Sequence, residues 1–146
     1  MLVSEFVDGR LLQEFLAAQS GRRLQTFEAL HLLYALACAV GPIHARGEYH
    51  GDLHDGNVLV KRAGLGFDIK LIDIYHRDQR KSLNIQDDVW DMIKIFYDAL
   101  GASRFYSKQR KEIKAICLGL KRAAISKKFR NANMLRDHLE TMVWSD

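Results

Sequence analysis

The stretch that organises this 146-residue sequence is His50-Gly51-Asp52-Leu53-His54-Asp55-Gly56-Asn57-Val58-Leu59-Val60, followed by a glycine-bearing turn and Ile69-Lys70-Leu71-Ile72-Asp73. The pattern predicts an acidic loop, a strand, a hairpin turn and a second strand. Asp52, Asn57 and Asp73 should therefore lie close together at one mouth of the hairpin. Two of these side chains could supply oxygen ligands to a hard cation such as Mg²⁺, and the third could orient a nucleophile.

The spacing His50-x-Asp52-x-x-x-x-Asn57, with a later strand that ends in Asp73, resembles the catalytic loop and metal-binding strand end of the protein-kinase-like superfamily. The resemblance implies that Asp52 accepts the proton of the substrate hydroxyl. It also implies that Asn57 and Asp73 hold Mg²⁺ beside the phosphates of ATP. His50 would be structural and would brace the loop.

Other roles follow from the same resemblance. His54 stands where protein kinases often carry a phosphate-contacting lysine, so it joins Asp52 in the expected catalytic set. Leu59 would form the apolar floor under the adenine. Residues 1–8 resemble the hinge of a kinase, in which the backbone groups of Glu5 and Val7 would hydrogen-bond the adenine edge.

Asp88 opens the segment Asp88-Val89-Trp90, which resembles the start of the central C-lobe helix of protein kinases. In that family the aspartate accepts hydrogen bonds from the backbone of the catalytic loop. Taken singly, Asp88 could equally be a helix N-cap.

The sequence also departs from the protein-kinase pattern. Gly51 replaces the arginine that pairs with a phosphorylated activation loop in many members, so switching by that route is not expected. Asp73-Ile74-Tyr75 lacks the usual phenylalanine and glycine, and the segment 74–86 is short. These features are closer to aminoglycoside, choline and RIO-like kinases, so the hydroxyl substrate could be a protein or a small molecule.

The composition, 48% hydrophobic and 27% charged, fits one globular domain over residues 1–146. The longest apolar run, from Leu32 to Val40, is too short to cross a bilayer, and the N-terminus has no signal pattern. We therefore expect a cytoplasmic protein without a membrane association. Cys38 and Cys117 lie in apolar helical patterns and are expected to be buried thiols.

A basic bias marks the C-terminal part of the chain. Eleven of the 22 Lys and Arg residues lie between Arg104 and Arg136, with Glu112 as the only acid. A solvated basic face is favoured over a nucleic-acid interface, because no recognition motif accompanies the charge. A zinc site at His50, Asp52 and His54 is rejected because no distant ligand pair completes it.

Hydrophobic periodicity predicts an α+β, mostly α fold, a helical bundle with a small β-hairpin at the catalytic loop, residues 48–73. The family resemblance implies that this fold is a kinase-like C-lobe. The predicted helices begin near Leu11, at Thr26 as N-cap, and at Asp87, with an amphipathic stripe from Ile113 to Leu120 and a last helix from Asn133 to Val143. Gly41-Pro42 should kink the long second helix or end its regular part.

The sequence thus predicts an ATP- and Mg²⁺-dependent phosphotransferase, similar to a serine/threonine protein kinase. It shows no glycine-rich loop or strand lysine before the hinge-like segment, so we expect a C-lobe that is weakly active or inactive alone. A small-molecule kinase is one alternative. The other is a non-catalytic interaction module, which would bind a missing N-lobe or self-associate through the exposed interlobe surface.

Overall fold

A long buried helix and a three-stranded sheet form the centre of the fold. The computed structural model describes residues 9–142. Along the chain the elements are β1 (Arg10–Leu11), α1 (Leu12–Ala17), α2 (Thr26–Ala45), β2 (Val58–Ala63), β3 (Gly66–Leu71), α3 (Lys81–Ala99), α4 (Ser103–Tyr106), α5 (Lys111–Cys117), α6 (Arg122–Lys128) and α7 (Ala132–Thr141), with 3₁₀ turns at Ser20–Arg22 and Leu118–Leu120. The predicted α+β, mostly helical class is confirmed.

The predicted hairpin is present, and the sheet gains one more strand. The antiparallel order is β1-β2-β3, with Val58 opposite Leu71 and Ala63 opposite Gly66. The two residues of β1 pair with Val60 and Leu59 of β2. Two residues are too few to show a strand pattern in the sequence, so the pairing of β1 arises from the fold.

Helix α2 packs against β3, α3 and α7 and supplies much of the core. Its first helical residue is Thr26, whose hydroxyl donates to Gln109 Oε1 (3.1 Å), so the predicted N-cap role of Thr26 is wrong. The helix also continues through Pro42 to Ala45 instead of ending at Gly41-Pro42. Proline removes only one backbone donor there, and the burial of the flanking Val40 and His44 holds the last turn in place.

Among residues 9–142, α2 is the one helix whose 20-residue length and hydropathy, 1.4 over its most apolar window, would suit a membrane span. Its buried residues, which include Leu32, Leu33, Leu36 and Val40, pack against a sheet and two helices, whereas Phe27 and Cys38 on the same helix are exposed. The core helix of a soluble protein passes the same test of length and hydropathy, so the finding is consistent with a soluble protein.

Helix α3 begins at Lys81, six residues before the start that the sequence predicts. Asp88 consequently lies inside the helix, and the alternative reading of Asp88 as an N-cap is wrong. Among residues 81–86 only Leu83 and Ile85 are apolar, so the helical stripe that includes Val89 and Met92 extends back to Ile85 but does not indicate a start at Lys81.

Helix α7 agrees with the predicted last helix within two residues, whereas α5 ends at Cys117, three residues before the end of the predicted stripe, which continues through the 3₁₀ turn. Ile113, Ile116 and Cys117 are buried. The true N-cap of α7 is Asn131, whose side chain accepts a hydrogen bond from the Met134 backbone N–H (2.9 Å).

Cys38 corrects one prediction, because this thiol is exposed whereas Cys117 is buried. It lies on the side of α2 that faces a shallow groove beside β3.

Candidate functional site

The carboxylate of Asp88 anchors the loop that precedes β2. Asp88 is fully buried in α3 and accepts hydrogen bonds from the backbone N–H groups of His50 (2.7 Å) and Gly51 (3.0 Å). These are the backbone contacts that the sequence predicts for Asp88. A buried carboxylate with several donors holds its partners firmly, because each charged hydrogen bond is strong in a dry environment.

His44 is a further part of this anchor that the sequence did not indicate, because no motif accompanies this helix histidine. Its Nε2 lies 2.9 Å from Asp88 Oδ2, and its Nδ1 accepts a hydrogen bond from the Ala132 backbone N–H (2.9 Å). Because Nδ1 is an acceptor, the ring proton lies on Nε2 and is donated to Asp88. His44 thus connects the first turn of α7 to the candidate loop.

His50 connects the same loop to the end of β3. The ring is fully buried, its Nε2 donates to the carbonyl of Ile72 (2.7 Å), and its Nδ1 accepts from the Asp52 backbone N–H (3.2 Å). Both ring nitrogens are therefore used in holding backbone. This is the bracing position that the sequence predicts for His50.

Asn57 joins Asp52 to the end of β3. Its Nδ2 donates to the backbone oxygen of Asp52 (2.8 Å) and to Asp52 Oδ2 (3.1 Å). Its backbone carbonyl accepts a hydrogen bond from the Ile72 N–H (3.0 Å), one residue before Asp73. The structure therefore brings the loop carboxylate, the amide and the strand end into one hydrogen-bonded cluster.

Two oxygen groups of this cluster could hold a hard cation. The amide oxygen of Asn57 accepts no hydrogen bond from residues 9–142, although the residue is only 6% exposed. Asp73 is exposed, forms no ion pair with the described part of the chain, and has a φ of 57°. Asp is among the few residues that tolerate this left-handed region, and such strained positions cluster at functional sites. Over the same residues no group of three His, Cys, Asp or Glu side chains forms a metal site, so protein ligands here would be few.

The carboxylate of Asp52 is partly exposed and has a nitrogen-bearing side chain on each side. His54 Nε2 is 3.7 Å from Oδ2, and Arg77 Nη2 is 3.8 Å from Oδ1. Arg77 Nε also donates to the Gly51 carbonyl (2.8 Å). Sequence reasoning missed Arg77, because it lies in the irregular segment after β3, where no pattern indicates a contact.

Gly51 allows the segment after β3 to lie directly on the loop. Its φ is 94°, and a Cβ atom added there would be 2.1 Å from the carbonyl oxygen of Tyr75. The Tyr75 N–H donates to the carbonyl of His50 (2.8 Å), which fixes this approach. The glycine that replaces the template arginine thus has a packing reason of its own.

A cleft of about 400 Å³ opens beside Gly51, the residue before Asp52. It is lined by the segment 77–79 and by Asp87, Asp91 and Arg122. Desolvation, and then the charges of Asp88 and Asp87, raise the pKa of Asp91 from 3.8 to about 7. We call this space the acceptor cleft.

Of the residues expected to contact a nucleotide base, only Leu59 lies in the part of the chain that the structure describes. Leu59 is partly exposed on the face of the sheet opposite to the buried Val58 and Val60, between Leu11 and Lys70. Glu5 and Val7, with the whole hinge-like segment 1–8, lie outside the described residues.

Comparison of the chain with protein-family models, with curated proteins and with solved structures finds no match. The functional interpretation therefore depends on the geometry of the site.

Proposed function

We propose that this chain is the C-terminal lobe of an ATP- and Mg²⁺-dependent phosphotransferase of the protein-kinase-like superfamily, acting in the cytoplasm. The observation that carries the proposal is the cluster in which Asn57 bonds both to Asp52 and to the backbone beside Asp73. Phosphoryl transfer requires mainly positioning and charge stabilisation, which such a cluster supplies.

In this proposal Asp52 is the general base. Its Oδ2 is held by Asn57, so Oδ1 is the oxygen that accepts the proton of an acceptor hydroxyl. Asn57 Oδ1 and the carboxylate of Asp73 fit Mg²⁺, because both are hard oxygen donors without other described partners. Bound Mg²⁺ would neutralise charge on the β- and γ-phosphates of ATP. His54, beside Asp52, can donate to a phosphate oxygen.

Leu59 supports the nucleotide side of the proposal. It lies in β2, two residues after Asn57, on the face of the sheet opposite to the buried Val58 and Val60. An adenine stacked there would bury the exposed part of the leucine, with the phosphates directed toward Asn57 and Asp73.

The acceptor is proposed to be a serine or threonine hydroxyl, as the sequence resemblance implies. A small-molecule hydroxyl is the second candidate, and the acceptor cleft favours it. The cleft is enclosed by a short segment after β3 and has the size of a site for a small ligand.

Calorimetric titration with Mg·ADP and Mg·ATP tests the nucleotide site on the full chain. We expect binding that disappears without the metal, and that is weakened at least tenfold by Asp73→Asn. Asp68→Asn is the matched control, because Asp68 is exposed on β3, away from the cluster.

A phosphotransfer assay then tests the base. Asp52→Asn should keep Mg·ATP binding and lower the transfer rate by about 10²-fold or more. Absence of any metal-dependent nucleotide binding would contradict the proposal and favour the non-catalytic interaction module.

A further inference from the structure

Arg77 is held in place by two independent sets of hydrogen bonds. Its backbone N–H donates to Tyr49 Oη (3.0 Å), and the same hydroxyl donates to the Arg77 carbonyl (3.2 Å). Its side-chain Nε donates to the carbonyl of Gly51 (2.8 Å), and the guanidinium lies 4.8 Å from the centre of the Tyr75 ring. The direction of the guanidinium group is therefore fixed before any ligand binds.

Most of the donors of Arg77 remain available. A guanidinium has five N–H donors in a planar fork, and within residues 9–142 the Nε donor, bonded to the Gly51 carbonyl, is the one with a hydrogen-bond partner. The 3.8 Å between Arg77 Nη2 and Asp52 Oδ1 is too long for a hydrogen bond. The Nη groups consequently face the one oxygen of Asp52 that Asn57 does not hold, from the wall of the acceptor cleft.

This position coincides with the place where charge develops in the proposed reaction. The acceptor oxygen forms a bond to the γ-phosphorus, the bond to the bridging oxygen of ADP breaks, and the hydroxyl proton passes to Asp52. The phosphoryl group in transit carries its charge on three oxygens, next to the attacking oxygen that Asp52 holds. The sequence provides neither the template arginine, because Gly51 replaces it, nor the template lysine, because His54 replaces it.

Resting on the proposed function, we propose that Arg77 is a catalytic residue that contacts the phosphoryl group during its transfer. Its Nη groups donate to the phosphoryl oxygens, while the bond from Nε to Gly51 keeps the fork in position. A preorganised cation at such a place stabilises the transition state more than the ground state.

A purely structural role for Arg77 makes a different prediction. If the arginine only fastened the segment after β3 to Gly51, its removal would weaken folding and nucleotide binding to the same extent in every ligand state. A residue that contacts the phosphoryl group affects only ligand states in which that group, or a mimic of it, is present.

The test uses the full chain with Mg·ADP and with Mg·ADP plus aluminium fluoride, a mimic of the phosphoryl group in transit. In the wild type, aluminium fluoride should increase the affinity for Mg·ADP. Arg77→Ala should bind Mg·ADP alone within about threefold of the wild type, but the increase in affinity that aluminium fluoride causes should be about 10²-fold smaller. Arg77→Lys should keep only part of this increase, because an ammonium group lacks the planar fork of a guanidinium. Added guanidinium chloride should partly restore the effect of aluminium fluoride on Arg77→Ala. Lys81→Ala is the control variant: it breaks an exposed ion pair with Glu48 and should bind both ligands as the wild type does.

Each other outcome overturns the inference. If aluminium fluoride increases the Mg·ADP affinity of Arg77→Ala as much as that of the wild type, Arg77 has no part in the reaction and the proposed function is unaffected. Loss of Mg·ADP binding in Arg77→Ala makes the arginine structural. If the wild type binds Mg·ADP but aluminium fluoride does not increase its affinity, the chain does not stabilise a phosphoryl group in transit. If the wild type does not bind Mg·ADP, the proposed function is contradicted, and so is the role of Arg77 that rests on it.

Discussion

Removal of the Asp88 carboxylate should be one of the most damaging single changes in this domain. The carboxylate is fully buried and accepts hydrogen bonds from His44, from the His50 N–H and from the Gly51 N–H, at 2.7 to 3.0 Å. Leaving one buried donor without an acceptor costs roughly 1–3 kcal/mol, so three donors set a range of roughly 3–9 kcal/mol.

Water that enters the vacated space reduces this loss. We expect Asp88→Ala to lower the free energy of unfolding by about 4 kcal/mol, similar to the removal of one partner from a buried ion pair. Asp88→Asn keeps the shape of the side chain and one acceptor oxygen, but its NH₂ group faces a donor. We therefore expect it to lower the free energy of unfolding by about 2 kcal/mol. Either value is a large part of the roughly 5–15 kcal/mol that stabilises a typical domain.

Urea unfolding, followed by circular dichroism, measures these changes, and amide hydrogen exchange locates them. The amides of His50 and Gly51 should exchange much faster in Asp88→Ala. Asp87→Asn is the matched control, because Asp87 is exposed and its ion pair with Arg122 contributes less than about 1 kcal/mol. Equal destabilisation by Asp88→Ala and Asp87→Asn, or unchanged exchange at the two loop amides, would refute the reasoning.

Three further predictions concern other parts of the fold. Gly51→Ala should destabilise the domain by several kcal/mol in urea unfolding, because its Cβ would meet a backbone carbonyl, whereas Gly47→Ala, with φ of 74° and open space around it, should cost only about 1–2 kcal/mol. The pKa of Asp91 in the folded state, about 7, lies above its ordinary value, so the folded state binds this proton more tightly than the unfolded state does. The contribution of Asp91 to the free energy of unfolding therefore decreases as the pH rises from about 4 to about 7. Asp91→Asn should therefore gain stability relative to the wild type between pH 5 and pH 8, and an unchanged difference in urea midpoint between those pH values would contradict this. An aromatic disulfide reagent should label the exposed Cys38 within minutes and Cys117 only on unfolding, because burial raises the pKa of Cys117 to about 12; Cys38→Ser should abolish the fast phase, and its persistence would show that the assignment is wrong.

The parts of the site that could be predicted are those joined by short stretches of chain. Asp52, Asn57 and Asp73 lie within 22 residues, and an alternating apolar pattern connects them through one hairpin. A hairpin fixes its register locally, so the pattern sufficed to predict that Asn57 and the end of β3 lie side by side.

Helix boundaries could be predicted only where apolar periodicity reaches the end of the helix. The first turn of α3, Lys81 to Asn84, has Leu83 as its single apolar residue and carries no such pattern, and neither does the two-residue strand β1. Pro42 also stays helical because surrounding burial outweighs one missing hydrogen bond, which a local rule does not include.

Local sequence patterns suffice to predict the mostly helical class, the hairpin and the contact of Asp52 with Asn57, because these depend on near neighbours and on the two-residue and 3.6-residue periods. Tertiary structure alone decided how the loop is held. His44 meets Asp88 across 44 residues and Ala132 across 88, and Arg77 reaches Gly51 only because two backbones pack closely. Such contacts depend on how whole elements pack in space, and no local pattern of residues encodes that packing.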